Sequence, residues 1–216
     1  MTSTRVCLIR HGVTASNRER RYMGRSGEGL SADGRWQARQ LALRMKDMPL
    51  AAIYASPLRR TKETAEIVAQ PHALRVTAAP DFTELDLQRW EGLTAADIQS
   101  KDPHEWTLWC SEPHRVRLEG IEALDDLSRR VRRGLERLLR QHSGESVAVV
   151  THDGVVRVAV LVALGIGIEH YRSIPVDNTG LTVLETTPER TYLRALNDTG
   201  HIGEAVPVVV AGPADR

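Results

Sequence analysis

Cysteine is scarce in this sequence. Only Cys7 and Cys110 occur among its 216 residues. They form no spaced pair, which excludes a disulfide framework and fits a reducing compartment. Cys7 lies within an apolar run and is expected to be buried. Charge of one sign is also lacking: the formal net charge is +1, so no global field favours a polyanion or a membrane surface, and any attraction for an anion must come from locally placed arginines. Long apolar stretches are absent too. No leader-like apolar region follows Met1, and no window approaches the roughly 18 apolar residues that a membrane span requires. The expectation is a cytoplasmic protein without a targeting signal, with neither membrane nor nucleic acid as a partner. No internal repeat is visible.

What is present is ordinary globular composition, 41% hydrophobic and 26% charged. It suits one domain spanning 1–216. Short apolar runs at Arg5–Ile9 and Ser146–Val150 read as buried strands, with a second short apolar run at Ala52–Ala55 and a third strand candidate at Arg75–Ala79. Leu181–Leu184 and Tyr192–Ala195 are further strand candidates. Arg10 to Gly29 reads as a loop. Ser31 reads as a helix cap, with Trp36, Leu41 and Met45 at helical spacing behind it. Ser56-Pro57 reads as a capping hydroxyl followed by proline at the first helical position, starting a helix that reaches Gln70.

From Trp90 to Glu119 the chain is polar and irregular, and is expected to form a small helical insertion at about 90–120. An amphipathic helix follows from Glu122 to His142, with Leu124, Leu127, Val131, Leu135 and Leu138 on one face. Its other face carries Arg129, Arg130, Arg132, Arg133, Arg137 and Arg140. Interleaved acids make this a solvated face rather than a nucleic-acid stripe. Val155–Leu164 reads as a helix, and the Gly- and Pro-rich tail from Gly203 reads as partly disordered. Strands alternating with helices give an α/β class, a three-layer α/β/α fold with a mostly parallel central sheet.

In such sheets ligands bind beyond the carboxyl ends of the strands. Two histidines stand there: Arg10-His11-Gly12 follows the first strand, and Thr151-His152-Asp153-Gly154 follows the Ser146–Val150 strand. Each is followed closely by a glycine that permits a tight turn. Arg59 and Arg60 fall in the first turn of the helix after Ser56-Pro57, where guanidinium groups and a helix N-terminus both favour phosphate. On these residues alone either arginine could serve.

These blocks resemble the histidine phosphatase, or phosphoglycerate mutase-like, superfamily. The resemblance runs through Arg10-His11-Gly12 with Thr14 and Asn17, then Gly24, Leu30 and Gly34. It continues through Ser56-x-Leu58-x-Arg60 with Thr64-Ala65, Glu84-x-Asp86 with Trp90-Glu91-Gly92, and Thr151 to Arg157. This register selects Arg60 over Arg59. The departures are Met23, Gln88, the partial match at Glu119-Gly120, and Asp153; they bear on substrate contacts.

The resemblance implies a metal-independent phosphomonoesterase that needs no cofactor and hydrolyses a small phosphorylated metabolite through a phosphohistidine. It makes His11 the nucleophile, Arg10 and Arg60 the phosphate clamps, His152 a charge stabiliser and Glu84 the general acid, with Asp86 its rival. Thr14, Asn17, Gly24 and Asp153 become substrate contacts. The short span between Glu84 and His152 is similar to the phosphatases rather than the mutases of the family. Trp106, Trp109 and Cys110 followed by a long helix are similar to α-ribazole phosphatases. Mutase-type phosphoryl transfer and a catalytically inactive phospho-ligand-binding module stand as alternatives, and a homodimer is open.

Overall fold

The structure, a computed structural model, describes residues 3–203. Apart from Gly203 itself, the tail expected to be disordered lies outside these residues. Six strands form one sheet: β1 (Thr4–Arg10), β2 (Leu50–Ala55), β3 (Val76–Ala78), β4 (Ser146–Thr151), β5 (Leu181–Thr186) and β6 (Thr191–Asp198). The order is β3-β2-β4-β1-β5-β6. β3, β2, β4 and β1 pair in parallel, β5 pairs antiparallel to β1, and β6 pairs antiparallel to β5. The sheet is therefore mixed, with the parallel part on one side of β1.

The apolar runs explain which strands are central. β1 and β4 are buried along almost their whole length, as strands covered on both faces must be. Alternation along β1 divides its side chains between the two layers. Val6 and Leu8 join a core with α6 (Leu124–Gln141) and α7 (Asp153–Leu164). Cys7 and Ile9 join a second core with α2 (Ala32–Met45) and α3 (Arg59–Ala69). Leu124, Leu127, Val131, Leu135 and Leu138 of α6 are all buried, as the periodicity predicts. Full burial of each such side chain is worth about 1.5–3 kcal/mol. A short α1 (Ala15–Arg18) interrupts the loop expected after β1.

Ser31 caps α2 as expected, its Oγ accepting the Gly34 N–H at 3.1 Å. The buried face, however, is Gly34, Gln37, Ala38, Leu41, Ala42 and Met45, with Trp36 only half-buried. The reason is the neighbouring loop after β1. Gln37 Oε1 accepts the Val13 N–H at 2.9 Å, and the backbones touch at Gly34, where an added Cβ would lie 2.1 Å from the Val13 carbonyl oxygen.

The start of α3 is a second correction. Its cap is Leu58, which makes no side-chain capping bond, and the helix ends at Ala69. Ser56 instead extends the sheet, its N–H donating to Val150 O at 3.0 Å. Its hydroxyl makes its short contact with His152 beyond the neighbouring strand, at 2.7 Å, and only a long one with the Leu58 N–H, at 3.4 Å.

Between β3 and α6 lie α4 (Ala95–Lys101), α5 (Pro103–Ser111) and 3-10 turns at Gln88–Trp90 and Pro113–Arg115. Trp90, Trp106 and Trp109 are buried here. Trp90 meets Trp109 edge to face at 5.7 Å between centroids, and Tyr22 meets Trp106 at 5.8 Å. The Asp102 carboxylate ties this unit together, accepting from Trp90 Nε1 and from the Arg89 guanidinium.

Candidate active site

The carboxyl ends of β1, β2 and β4 bring three segments to one crevice. His11 leaves β1 with its N–H still donating to Thr151 O at 2.9 Å, and His152 occupies the N-cap position of α7 directly after β4. The two imidazoles stand edge to face with centroids 5.3 Å apart.

The proton of His11 can be placed by its partner. Nδ1 lies 2.8 Å from the Gly12 carbonyl oxygen, which only accepts, so Nδ1 carries the hydrogen and Nε2 carries the lone pair. Arg60 Nε–H donates to that Nε2 at 3.2 Å. Burial, followed by the charges of Arg60 and Arg10, holds the His11 pKa well below 6.5. His11 is thus a neutral imidazole with its free nitrogen facing a guanidinium. The pKa of His152 is also well below 6.5, first by burial, then through Arg60, His11 and Arg10.

Arg60 is held on its far side as well. Nη2 donates to Gly24 O at 2.8 Å and Nη1 to Ser26 O at 2.7 Å. The loop carrying these carbonyls is fixed in turn by Glu91, whose Oε1 accepts from the N–H groups of Arg25 and Ser26. Arg59 is exposed and pairs with Glu63 at 2.7 Å. The structure therefore brings Arg60, not Arg59, to the histidines. Arg10 is buried, with Nη1 donating to Val176 O at 2.9 Å. Its Nε is buried without a partner, and so is His152 Nδ1.

Glu84 enters from the loop after β3, its Oε1 accepting the Leu85 N–H at 2.8 Å. Burial raises its pKa from 4.5 to about 7, reinforced by the nearby Asp153 and opposed by the Leu85 N–H, Arg60 and Arg10. Asp86 pairs instead with Arg25 and Gln88, and it does not line the cavity. That cavity encloses about 550 Å³, within the usual size of small-molecule sites. Arg10, His11, Arg60, Glu84, Asp153 and Arg157 line one part, and Tyr22, Met23, Trp106, Trp109 and Arg172 another. Gly24 is not among the lining residues, and His152 adjoins the cavity through its edge-to-face contact with His11.

The family model of the histidine phosphatase superfamily (branch 1) matches residues 6–199. The chain belongs to that superfamily. It is 32% identical over 200 residues to phosphoserine phosphatase 1 of Hydrogenobacter thermophilus, covering 93% of this chain and 95% of the relative. It spans only 56% of a Mycobacterium tuberculosis bifunctional protein to which it is 34% identical over 207 residues, 93% of this chain. Among solved structures, Bacillus stearothermophilus YhfR superposes with a TM-score of 0.88 at 30% identity, covering 92% of this chain and 99% of the other. A putative α-ribazole-5′-P phosphatase from Escherichia coli superposes at 0.83 and 27% identity, covering 91% and 97%.

In this histidine phosphatase the remaining residues singled out in the sequence fall into two groups. Thr14 and Asn17 line the cavity and form the capping box of α1, Thr14 Oγ1 accepting from Asn17 N–H and Asn17 Oδ1 from Thr14 N–H. Asp153 is bound by Arg157, with Nε to Oδ2 at 2.8 Å and Nη2 to Oδ1 at 3.1 Å, and Arg10 Nη1 approaches to 3.7 Å. Burial raises the Asp153 pKa, but these cations outweigh it and the pKa lies below 3.8.

Tyr22, Tyr171 and Arg172 of the cavity lining were not singled out by the sequence, nor were three side chains that brace the site. Asn178 Nδ2 donates to His11 O at 2.9 Å and to Asn17 Oδ1 at 3.3 Å; the polar Asp177-Asn178-Thr179-Gly180 turn just before β5 is the signal that could have found it. Ser56 Oγ lies 2.7 Å from His152 Nε2. Arg130 is the third, and it corrects the reading of a wholly solvated helix face. Its guanidinium donates to the carbonyls of Asp81, Thr83 and Glu84 and pairs with Glu122 at 2.7 Å. Among the described residues, no group of three or more His, Cys, Asp or Glu side chains is placed to hold a metal ion, and no helix is long and apolar enough to cross a membrane.

Proposed function

We propose that this histidine phosphatase hydrolyses the monoester of a small phosphorylated metabolite, with His11 as nucleophile. The observation that carries the reading is the state of four groups around one point. His11 Nε2 carries a lone pair that faces the Arg60 guanidinium, Arg10 Nε and His152 Nδ1 are buried polar atoms without partners, and Glu84 is a carboxylic acid with a pKa of about 7. Such a set suits a tetrahedral dianion: Arg10 and Arg60 bind its oxygens as charge-assisted donors, and His152 adds a donor as charge redistributes.

In the first step Nε2 bonds to phosphorus, the ester P–O bond breaks, and the leaving oxygen takes the Glu84 proton. In the second, water gives its proton to the Glu84 carboxylate while its oxygen bonds to phosphorus, and the P–N bond breaks. The phosphatase names of the relatives support hydrolysis over mutase-type transfer. The test is phosphate release from a panel of amino-acid, sugar, glyceric-acid and nucleoside monophosphates in excess EDTA, with and without 2,3-bisphosphoglycerate. The expected result is release in chelator and acid-labile phosphoryl labelling that His11→Ala abolishes. Full turnover by His11→Ala, or isomerisation faster than release, refutes it.

A further inference from the structure

Ser56 and His152 are both fully inaccessible to solvent, and their side chains meet at 2.7 Å, Oγ to Nε2. Backbone fixes both partners. The Ser56 N–H continues the β2–β4 ladder onto Val150 O, and His152 begins α7 two residues later in β4's own direction. The sheet therefore sets where the two side chains start, and burial confines both of them.

The 2.7 Å contact admits either direction, and the surroundings of the two groups favour one. A serine hydroxyl has one proton and two lone pairs. One lone pair of Ser56 receives the Leu58 N–H at 3.4 Å, and the proton faces His152 Nε2. A neutral imidazole carries one N–H, so an Oγ–H donating to Nε2 puts the His152 proton on Nδ1. Nδ1 is the nitrogen that is buried without a partner, on a ring packed edge to face against His11. The opposite tautomer would aim a bare lone pair at the oxygens of the anion that Arg10 and Arg60 are placed to hold, and would repel them. Ser56 selects against it.

We infer that Ser56 is a positioning residue: its hydroxyl donates to His152 Nε2 and holds the imidazole with its proton on Nδ1, ready for a phosphoryl oxygen. The inference rests on the phosphatase reading of the site. Neutral His152 also fits the surroundings, where burial and the flanking arginines disfavour its protonation. Ser56 is fully buried and is not among the residues that line the cavity. Its removal should therefore act on turnover while substrate binding through Arg10 and Arg60 survives.

Nitrogen-15 NMR of the imidazoles at pH 7.5, with the His152→Gln spectrum locating the His152 signals, reads the tautomer in the unmodified protein. The expected result is a protonated Nδ1 and a bare Nε2. Ser56→Ala, which keeps nearly the same volume, should convert this to a mixture. With p-nitrophenyl phosphate as the probe, the same variant should lower kcat by about 10–100-fold, the scale found for groups that orient metal-ligating histidines and taken over here by analogy, and change KM by less than about threefold. A wild-type proton on Nε2 overturns the inference, and so does a Ser56→Ala enzyme with unchanged kcat. If the wild-type protein releases no phosphate from any monoester, the phosphatase reading fails by itself, and the NMR result still decides whether Ser56 sets the tautomer.

Discussion

Replacing Glu84 by glutamine should make the protein more stable while disabling it, and the gain should depend on pH. The Glu84 pKa rises from 4.5 to about 7 in the fold, chiefly through burial. The folded state thus binds the proton more tightly than the unfolded chain does. The stability associated with that proton is fully present below pH 4.5 and is lost as the pH rises through 7, reaching a cost of about 3 kcal/mol. Glutamine imitates the protonated acid, keeps an oxygen for the Leu85 N–H, and never ionises. His11 and His152 titrate below 6.5 in both proteins, so their contribution cancels. Urea unfolding at pH 5 and pH 8 measures the difference. The advantage of Glu84→Gln over wild type should be about 2–3 kcal/mol larger at pH 8, a change in relative midpoint of roughly 1–2 M at ordinary urea slopes. An advantage independent of pH, or a variant less stable than wild type at pH 8, would show that Glu84 is not held as a buried acid.

The same carboxyl sets a kinetic limb: kcat/KM for phosphate release should fall above a pKa of about 7, where Glu84 ionises, and the low residual rate of Glu84→Gln should lack that fall. Gly34→Ala places a Cβ 2.1 Å from the Val13 carbonyl oxygen, a backbone clash that outweighs the improved helix propensity of about 1 kcal/mol. Thermal or urea unfolding should show a net loss of about 2–3 kcal/mol, and turnover should fall because the displaced loop carries His11. Arg130→Ala leaves the Glu122 carboxylate and three loop carbonyls without their donor. It should cost roughly 2–4 kcal/mol in unfolding and lower kcat by about tenfold by loosening Glu84, with unchanged kcat counting against the positioning of Glu84 by this arginine.

The site was legible where its chemistry lies in short segments after strands. Arg10 at the end of β1, His11 just after it and His152 after β4 are marked by apolar runs that end abruptly in a histidine closely followed by a glycine. The α6 stripe was legible for a similar reason, since helical period alone decides which side faces the core. Ser56 was not. A serine before proline near a helix start looks the same whether its hydroxyl caps the helix or reaches the neighbouring strand, and only the β2–β4 pairing distinguishes the two. Arg130 was hidden by its period: it sits among solvated arginines along α6, and its partners are main-chain carbonyls 46 to 49 positions away in sequence. Gln37 illustrates the converse, a polar side chain placed inside because Val13 N–H needs an acceptor there. Asn178 acts through backbone oxygen, a partner that carries no residue-type signal.

The tether from Glu91 through the Gly24–Ser26 loop to Arg60 has an evolutionary consequence. The segment around α4 and α5 supplies part of the cavity wall, yet it also begins with the carboxylate that seats Arg60, the proposed phosphate clamp. Leaving-group preference can drift by exchange of wall residues such as Ala95, Ala96 and Gln99, which have no part in that chain of contacts. A wholesale graft of the segment from another phosphatase is a different matter. It transplants specificity and phosphate grip together, and it will give an active chimera only if the incoming sequence brings an acid to position 91.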